Sequence, residues 1–194
     1  PLRLDEGLFF VISHTNITER KLAEELALTL SRIDGLTNIA NRRLFDEFID
    51  NEWKRCARMK APVSLAIVDL DYFKFVNDTY GHQTGDECLR RIGEVLKKVT
   101  KRPGDLAARL GGDEFAIVFG NTTREQASQL VQDLSDTVRA MRIPNERSPI
   151  QPFLTVSIGL ATLQPDASST WSDLLRKADE HLYTAKERRD QISA

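Results

Sequence analysis

Carboxylates stand at two places where apolar strands should end. The run Val63-Ser-Leu-Ala-Ile-Val68 leads straight into Asp69-Leu70-Asp71, and Asp113-Glu114 follows the glycine pair Gly111-Gly112. A carboxylate at the end of a buried strand is costly to desolvate unless a cation offsets it, and hard oxygen ligands of this kind suit a divalent metal. Lys74 lies a few residues on, and the combination favours Mg²⁺ with a phosphorylated substrate. If the two strands are neighbours, Asp69 and Asp113 meet at one sheet edge. Each piece also has a plainer reading. Asp69 and Asp71 can cap a strand as a turn, Gly111-Gly112-Asp113 can be a hairpin turn in which glycine supplies positive φ, and Lys74 can be a solvated lysine. The same glycines would also let a bulky anion approach the backbone.

The elements that must position these groups follow from periodicity. Leu22, Leu26, Leu30 and Ile33 recur at three- to four-residue steps over 17–33. This narrow stripe fits either a coiled-coil seam with a second copy or a helix packed on its own domain. Leu44, Phe45, Phe48, Ile49, Trp53 and Cys56 form one face of a longer helix stopped by Pro62, and Val63–Val68 reads as a buried strand. Thr84 and Glu87 spell a capping box ahead of Leu89, Ile92, Val95, Leu96 and Val99; Thr122 and Glu125 spell a second, ahead of a stripe from Ala127 to Met141. Leu106–Leu110 and Phe115–Phe119 flank the glycine turn as a hairpin. A surface loop over Ile143–Pro152, a strand over Phe153–Leu163 and a last helix from near Ser172 complete the pattern, and His181 falls on that helix's exposed, solvated side. Near the start, Gly7–Ser13 is a β-type run with nothing nearby to pair with. Strands alternate with helices but one pair is a hairpin. That predicts an α/β (α+β) fold with a mixed sheet of about five strands and helices on both faces.

Composition narrows the function classes. Across 194 residues, 27 basic and 29 acidic side chains leave a net charge of −2, so the global basic footprint of a nucleic-acid binder is missing. The two cysteines, Cys56 and Cys88, sit in amphipathic helical patterns, which excludes a disulfide scaffold and a zinc cluster. The apolar run Leu8–Ile12 is too short for a membrane span and lacks signal-peptide flanks. The expectation is a cytoplasmic domain, with any membrane anchor of a full-length protein lying upstream.

Gly111-Gly112-Asp113-Glu114-Phe115 spells GGDEF, a pentapeptide that chance supplies about once in a million windows. With it stand Asp69-Leu-Asp-Tyr-Phe-Lys-Phe-Val-Asn-Asp78, Gly81-His82, Gly85-Asp86, Asp34-Gly-Leu-Thr37, Asn41-Arg42-Arg43, Val156-Ser-Ile-Gly159 and Ala178-Asp179 through Ala185-Lys186. Over about 34–192 the sequence resembles the GGDEF diguanylate cyclase family. Two departures stand out: Asn38 occupies a usual glycine position, and the usual AK-x-x-G-R ending is replaced by Lys186-Glu-Arg-Arg189, so either Arg188 or Arg189 takes the phosphate-binding role. Gly7–Arg20 resembles the exit strand and tail of a PAS sensor domain. The implied organisation is a PAS tail over 1–16, a helical linker over 17–33 and the cyclase domain over 34–194, a piece of a longer sensor protein.

The resemblance implies a nucleotidyl-cyclase, polymerase-palm-like fold and condensation of two GTP into cyclic di-GMP with release of two pyrophosphates. Asp69, the Leu70 carbonyl and Asp113 would hold Mg²⁺ or Mn²⁺, two ions per site, with Glu114 as a further ligand or acting through the second ion. Asp113 is the candidate to help deprotonate the 3′-hydroxyl, a role metal-bound hydroxide could equally fill. Lys74, Lys186 and Arg189 would neutralise phosphate charge, the backbone N–H groups of Tyr72 and Phe73 would meet the β- and γ-phosphates, and Gly111 and Gly112 would admit the nucleotide. Asn77 and Asp86 would read guanine, with His82 a weaker contact. A carboxylate can accept from both N1–H and N2–H₂ of guanine, which adenine cannot offer, although an acid in a first helical turn also favours the helix dipole. Because one domain binds one GTP, two domains must face each other as a homodimer, which gives the 17–33 helix a purpose in signal regulation. Arg102-Pro-Gly-Asp105 matches the family's inhibitory RxxD site for cyclic di-GMP, although a plain Pro-Gly turn is the simpler reading of the tetrapeptide alone. The rival readings are a non-catalytic GTP or cyclic di-GMP-binding module regulating a linked domain, a synthase of a mixed guanine–adenine dinucleotide, and a scaffold.

Overall fold

The computed structural model describes residues 2–4, 7–9, 21 and 32–194, in two compact units, 1–31 and 32–194. The expected linker stripe over 22–30 and the PAS-like tail beyond residue 9 lie outside the described residues. In the first unit, strand β1 (Leu2–Leu4) pairs antiparallel with β2 (Gly7–Phe9), Leu2 opposite Phe9. The run beginning at Gly7 therefore does have a partner, in Leu2–Leu4 just before it.

The second unit runs β3 (Ala40–Asn41), α1 (Arg42–Met59), β4 (Val63–Leu70), α2 (Phe73–Tyr80), α3 (His82–Val99), β5 (Asp105–Gly111), β6 (Glu114–Gly120), α4 (Arg124–Ala140), β7 (Val156–Leu163), α5 (Trp171–Arg188) and β8 (Ile192–Ser193). The sheet is mixed, in the order β3-β5-β6-β4-β7-β8. Its outer pairs β3–β5 and β7–β8 are parallel and its inner pairs antiparallel. The two-residue edge strands make six strands where about five were expected; runs that short carry no periodicity. Leu65 and Ile67 face one core with Phe45, Ile49 and Trp53 of α1 and Leu174 and Leu182 of α5. Ala66, Val68 and Leu70 face the other, with Leu89, Ile92 and Leu96 of α3 and Val131 and Leu134 of α4. This two-residue alternation between covered faces makes β4 a continuous apolar run. Phe115 is wholly buried, so its truncation to alanine costs roughly 3–5 kcal/mol.

Boundaries differ from expectation for local reasons. Gly81, at φ 85°, closes α2 and opens α3 one residue later, so Thr84 is already inside the helix and donates to the Tyr80 carbonyl at 2.9 Å; the expected Thr84/Glu87 box does not form. The next box shifts by one residue, Thr123 with Gln126, and α5 is capped by Thr170 with Asp173. Regular pairing in β7 begins at Val156, because Phe153 and Leu154 bond back to the loop at Pro144 and Ile143. Asn38 takes φ 55°, a conformation asparagine tolerates nearly as well as glycine. A Cβ on Gly159 would collide with the Ala178 carbonyl and Leu182 N, so the α5 backbone lies directly on β7.

Candidate active site

At the end of β4, Asp69 is flanked by Glu114 on β6 and Ser157 on β7, and the Leu70 N–H donates to the Asp113 carbonyl at 3.3 Å. The two carboxylate segments thus meet at one sheet edge, with Glu114 directly opposite Asp69 and Asp113 one step into the turn. Lys186 Nζ lies 2.6 Å from Asp69 Oδ2, and Arg189 Nη1 is 3.7 Å from Oδ1. Burial nevertheless pushes the Asp69 carboxyl up against the pull of Lys186, and the charge of Asp113 adds to the push. Burial also raises Glu114, helped by the charge of Asp69. Two partly buried carboxylates this close together favour a proton or a cation between them. Among the described residues, no three His, Cys, Asp or Glu side chains converge closely enough to hold a metal by themselves. A divalent ion would complete its shell with a backbone carbonyl such as Leu70's and with substrate oxygens, a hard donor set that suits Mg²⁺.

Asp71 is the residue the sequence undersold. It is 0% exposed and accepts from Thr155 Oγ1 (2.8 Å), Ser157 Oγ (2.7 Å), the Asp190 N–H (2.9 Å) and Arg189 Nη1 (3.4 Å). It is an organising carboxylate rather than a turn cap, and it fixes the segment after α5. Of the two candidate arginines, Arg189 is the one brought to the site; Arg188 is exposed. Arg189 and Asp190 take φ 55° and 50°, and Asp190 pairs with Arg139 at 2.8 Å.

The glycine turn is held from behind. Arg109 donates through Nε and Nη2 to the Gly112 carbonyl at 2.9 and 2.7 Å, while Nη1 lies 3.3 Å from both oxygens of Asp34. Asp34 also accepts from Thr37 N–H and Oγ1. Burial alone would raise its carboxyl, but these hydrogen bonds and the Arg109 charge outweigh it and hold the group low. Gly111 and Gly112 take φ 150° and 53°, and a Cβ on either would meet nothing within 4 Å. They serve the turn and leave it open. Arg109 went unnoticed because its partner lies far away in sequence.

Beside the turn is a cleft of about 430 Å³ lined by Phe73, Lys74, Asn77, Asp78, His82, Asp86, Leu89, Arg109, Gly112 and Asp113. Gly85 is required here because a Cβ would overlap Asn77 Oδ1. Tyr72, at φ 54°, begins α2 without a side-chain cap, leaving first-turn N–H groups for an anion. His181, expected in solvent, is half-buried with Nδ1 2.6 Å from the Leu160 carbonyl. At the far end of β5, Asp105 Oδ2 accepts from the Arg102 N–H at 3.1 Å, whereas Oδ1 is buried with no partner and burial raises the carboxyl. Both residues line a separate cavity of about 400 Å³ with Lys98, Lys101 and Asp133.

A mixed sheet whose central strand delivers a carboxylate to an open Gly-Gly turn beside a polar cleft defines a GGDEF-type domain. The family described as "Diguanylate cyclase, GGDEF domain" matches residues 31–191, and the chain belongs to it. Among its relatives, the probable diguanylate cyclase DgcC of Escherichia coli K12 is 34% identical over 179 residues, covering 92% of this chain and 47% of the relative. The cyclic di-GMP phosphodiesterase PdeR of the same organism is 34% identical over 180 residues, covering 93% and 26%. The chain therefore spans less than half the length of these curated relatives. In three dimensions it is similar to the GGDEF domain of DgcB from Caulobacter crescentus in complex with c-di-GMP (TM-score 0.76, 33% identity, 84% of this chain and 95% of that one). It is also similar to the coiled coil and GGDEF domain of the same protein (TM-score 0.76, 31% identity, 91% and 93%).

Proposed function

We propose that this domain condenses two GTP into cyclic di-GMP, releasing two pyrophosphates. The observation that carries the reading is the register at the sheet end: Asp69 opposite Glu114, Asp113 tied to Leu70, and the cleft of Asn77 and Asp86 alongside. Mg²⁺ or Mn²⁺, two ions held by Asp69, the Leu70 carbonyl, Asp113 and Glu114, would supply charge neutralisation and acidify the attacking 3′-hydroxyl. Asp113 accepts the proton of that hydroxyl. Lys74, Lys186 and Arg189 offset charge on the phosphates, with Lys186 exchanging its bond to Asp69 for one to phosphate. The N–H groups of Tyr72 and Phe73 hold the β- and γ-phosphates, and the open face of Gly111 and Gly112 admits the nucleotide. Asp86, Asn77 and His82 read guanine; a wrong base leaves their polar groups unpaired.

Two domains must meet for the second bond, so the active form is a homodimer, with the 17–33 helix as its tether and the 1–16 segment as the end of a PAS sensor. Cyclic di-GMP inhibits by binding at Arg102 and Asp105, which line the separate cavity of about 400 Å³. Arg102→Ala is expected to keep catalysis and accumulate more product before stalling. Among the described residues no helix is long and apolar enough to cross a membrane, and the proposed location is the cytoplasm, where GTP is. A regulatory GTP-binding module is the second reading, favoured by the match to a protein named as a phosphodiesterase. Incubation with GTP and Mg²⁺ followed by nucleotide chromatography separates the two. Cyclic di-GMP and pyrophosphate support the cyclase; GTP bound but unchanged supports the module.

A further inference from the structure

A row of four side chains leaves the site where α2 begins. The Arg189 guanidinium lies 5.0 Å from the Tyr72 ring centroid, Tyr72 stacks on Phe75 with centroids 5.6 Å apart and planes 5° apart, and the Arg147 guanidinium lies 5.0 Å from the Phe75 centroid. None of the four lines the cleft of Asn77 and Asp86. The loop bearing Arg147 is anchored to the same backbone. Asn145, 1% exposed, points its Nδ2 at the carbonyls of Asp71 and Tyr72, each at 3.4 Å, while its Oδ1 is buried without a partner. The Ser148 N–H bonds to the Asn145 carbonyl at 3.0 Å, turning the chain so that Arg147 stands over Phe75. This placement is tied to the residues that close β4 and open α2, not to the loop's own length.

The cations at this end of the site are unequally committed. Lys186 sits on Asp69, Arg189 is shared between Asp69 and Asp71, and Asp190 has drawn Arg139 to itself. Arg147, exposed and on the Phe75 ring, has no carboxylate partner among the described residues. A guanidinium held over an aromatic ring uses no N–H group on a carboxylate, and its fork matches two phosphate oxygens. Of the phosphates in a nucleoside triphosphate, the outermost carries the most charge and reaches furthest from the base.

We propose that Arg147 is a phosphate-binding residue that takes the terminal phosphate of the nucleotide, aimed by Phe75 and Tyr72 and by the Asn145 anchor. It is thereby also a contact to the pyrophosphate that leaves. The inference rests on the GTP reading above and adds to it a residue on a loop remote in sequence from Asp69 and Asp113. The test is isothermal titration of the whole chain with GTP, inorganic pyrophosphate and GMP in Mg²⁺ buffer. Arg147→Ala should bind GTP and pyrophosphate about tenfold more weakly and GMP as wild type does, with an unchanged melting temperature. Arg147→Lys should recover part of the loss, since a point charge lacks the fork, and Phe75→Leu should show a smaller loss in the same pattern. Unchanged affinity of Arg147→Ala for GTP and pyrophosphate overturns the proposal while leaving the GTP reading intact. An equal loss for GMP overturns it as well, and so does a change confined to self-association, which would make Arg147 a contact to a second copy. If the wild-type chain binds none of the three, the GTP reading falls and takes this inference with it.

Discussion

The β5–β6 hairpin uses glycine at both ends for opposite reasons. At the turn, Gly111 and Gly112 hold positive φ and face empty space. At the base, a Cβ on Gly120 would overlap Glu52 Oε1, and one on Gly104 would come within 2.9 Å of the same atom. Glu52 is 5% exposed and pairs with Arg55 through Nε at 2.7 Å, so the base is a packed ionic corner. One end faces open space; the other is shaped around something already there. Substitutions at the turn should cost function and those at the base stability.

The largest effect should come from Asp113→Ala. It removes a carboxylate from an open turn and no core volume, so product formation should fall more than about a hundredfold with the melting temperature unchanged; near wild-type turnover in the chromatographic assay breaks the assignment. Asp86→Ser should narrow the preference for GTP over ATP about tenfold in mixed-nucleotide competition, because the paired acceptor is lost. At the base, Gly120→Ala should lower unfolding free energy by about 2–3 kcal/mol, whereas Gly112→Ala should cost about 1 kcal/mol, the strain of a side chain at positive φ. Urea denaturation reads both, and the reverse ranking would end the contrast. The smallest effect is a gain. Burial raises the Glu114 carboxyl, so the folded state holds that proton more tightly than the unfolded state does. The contribution to stability is full below the ordinary value of 4.5 and is lost as pH rises through the raised one. In EDTA at neutral pH, Glu114→Gln should therefore melt a degree or two higher than wild type, with the difference vanishing below that value.

What the sequence showed was whatever is local. A strand running into Asp69, a glycine turn ahead of Asp113 and Glu114, and the stripes of α1, α4 and α5 are all written in adjacent residues. The sequence leaves Asp71 open between a cation-site carboxylate and a turn, because its role depends on Thr155 and Ser157, which reach it only when β7 lies beside β4. Arg109 needs Asp34 in the same way. His181 sits on the side of its wheel away from the core, yet β8 pairs only with Ile158 and Gly159, and the Leu160 carbonyl beyond them takes a side-chain donor. The loop before β7 is polar enough to read as surface, and its Asn145 is nonetheless buried, since its bonds go to the backbone of a distant turn.

The sheet order has a consequence for how the chain is made. β4 leaves the ribosome before either of its neighbours exists: β6 follows after two helices and a strand, and β7 after a further helix and loop. Until then a largely apolar strand has both edges bare, the state in which nascent chains are most prone to stick to one another. Asp69 gains Glu114 early, but Ser157, Lys186 and Arg189 arrive only with β7 and α5. The surroundings of Asp69 are therefore completed late, and a ribosome stalled before β7 carries a chain that has the signature pentapeptide but only one flank of the candidate site.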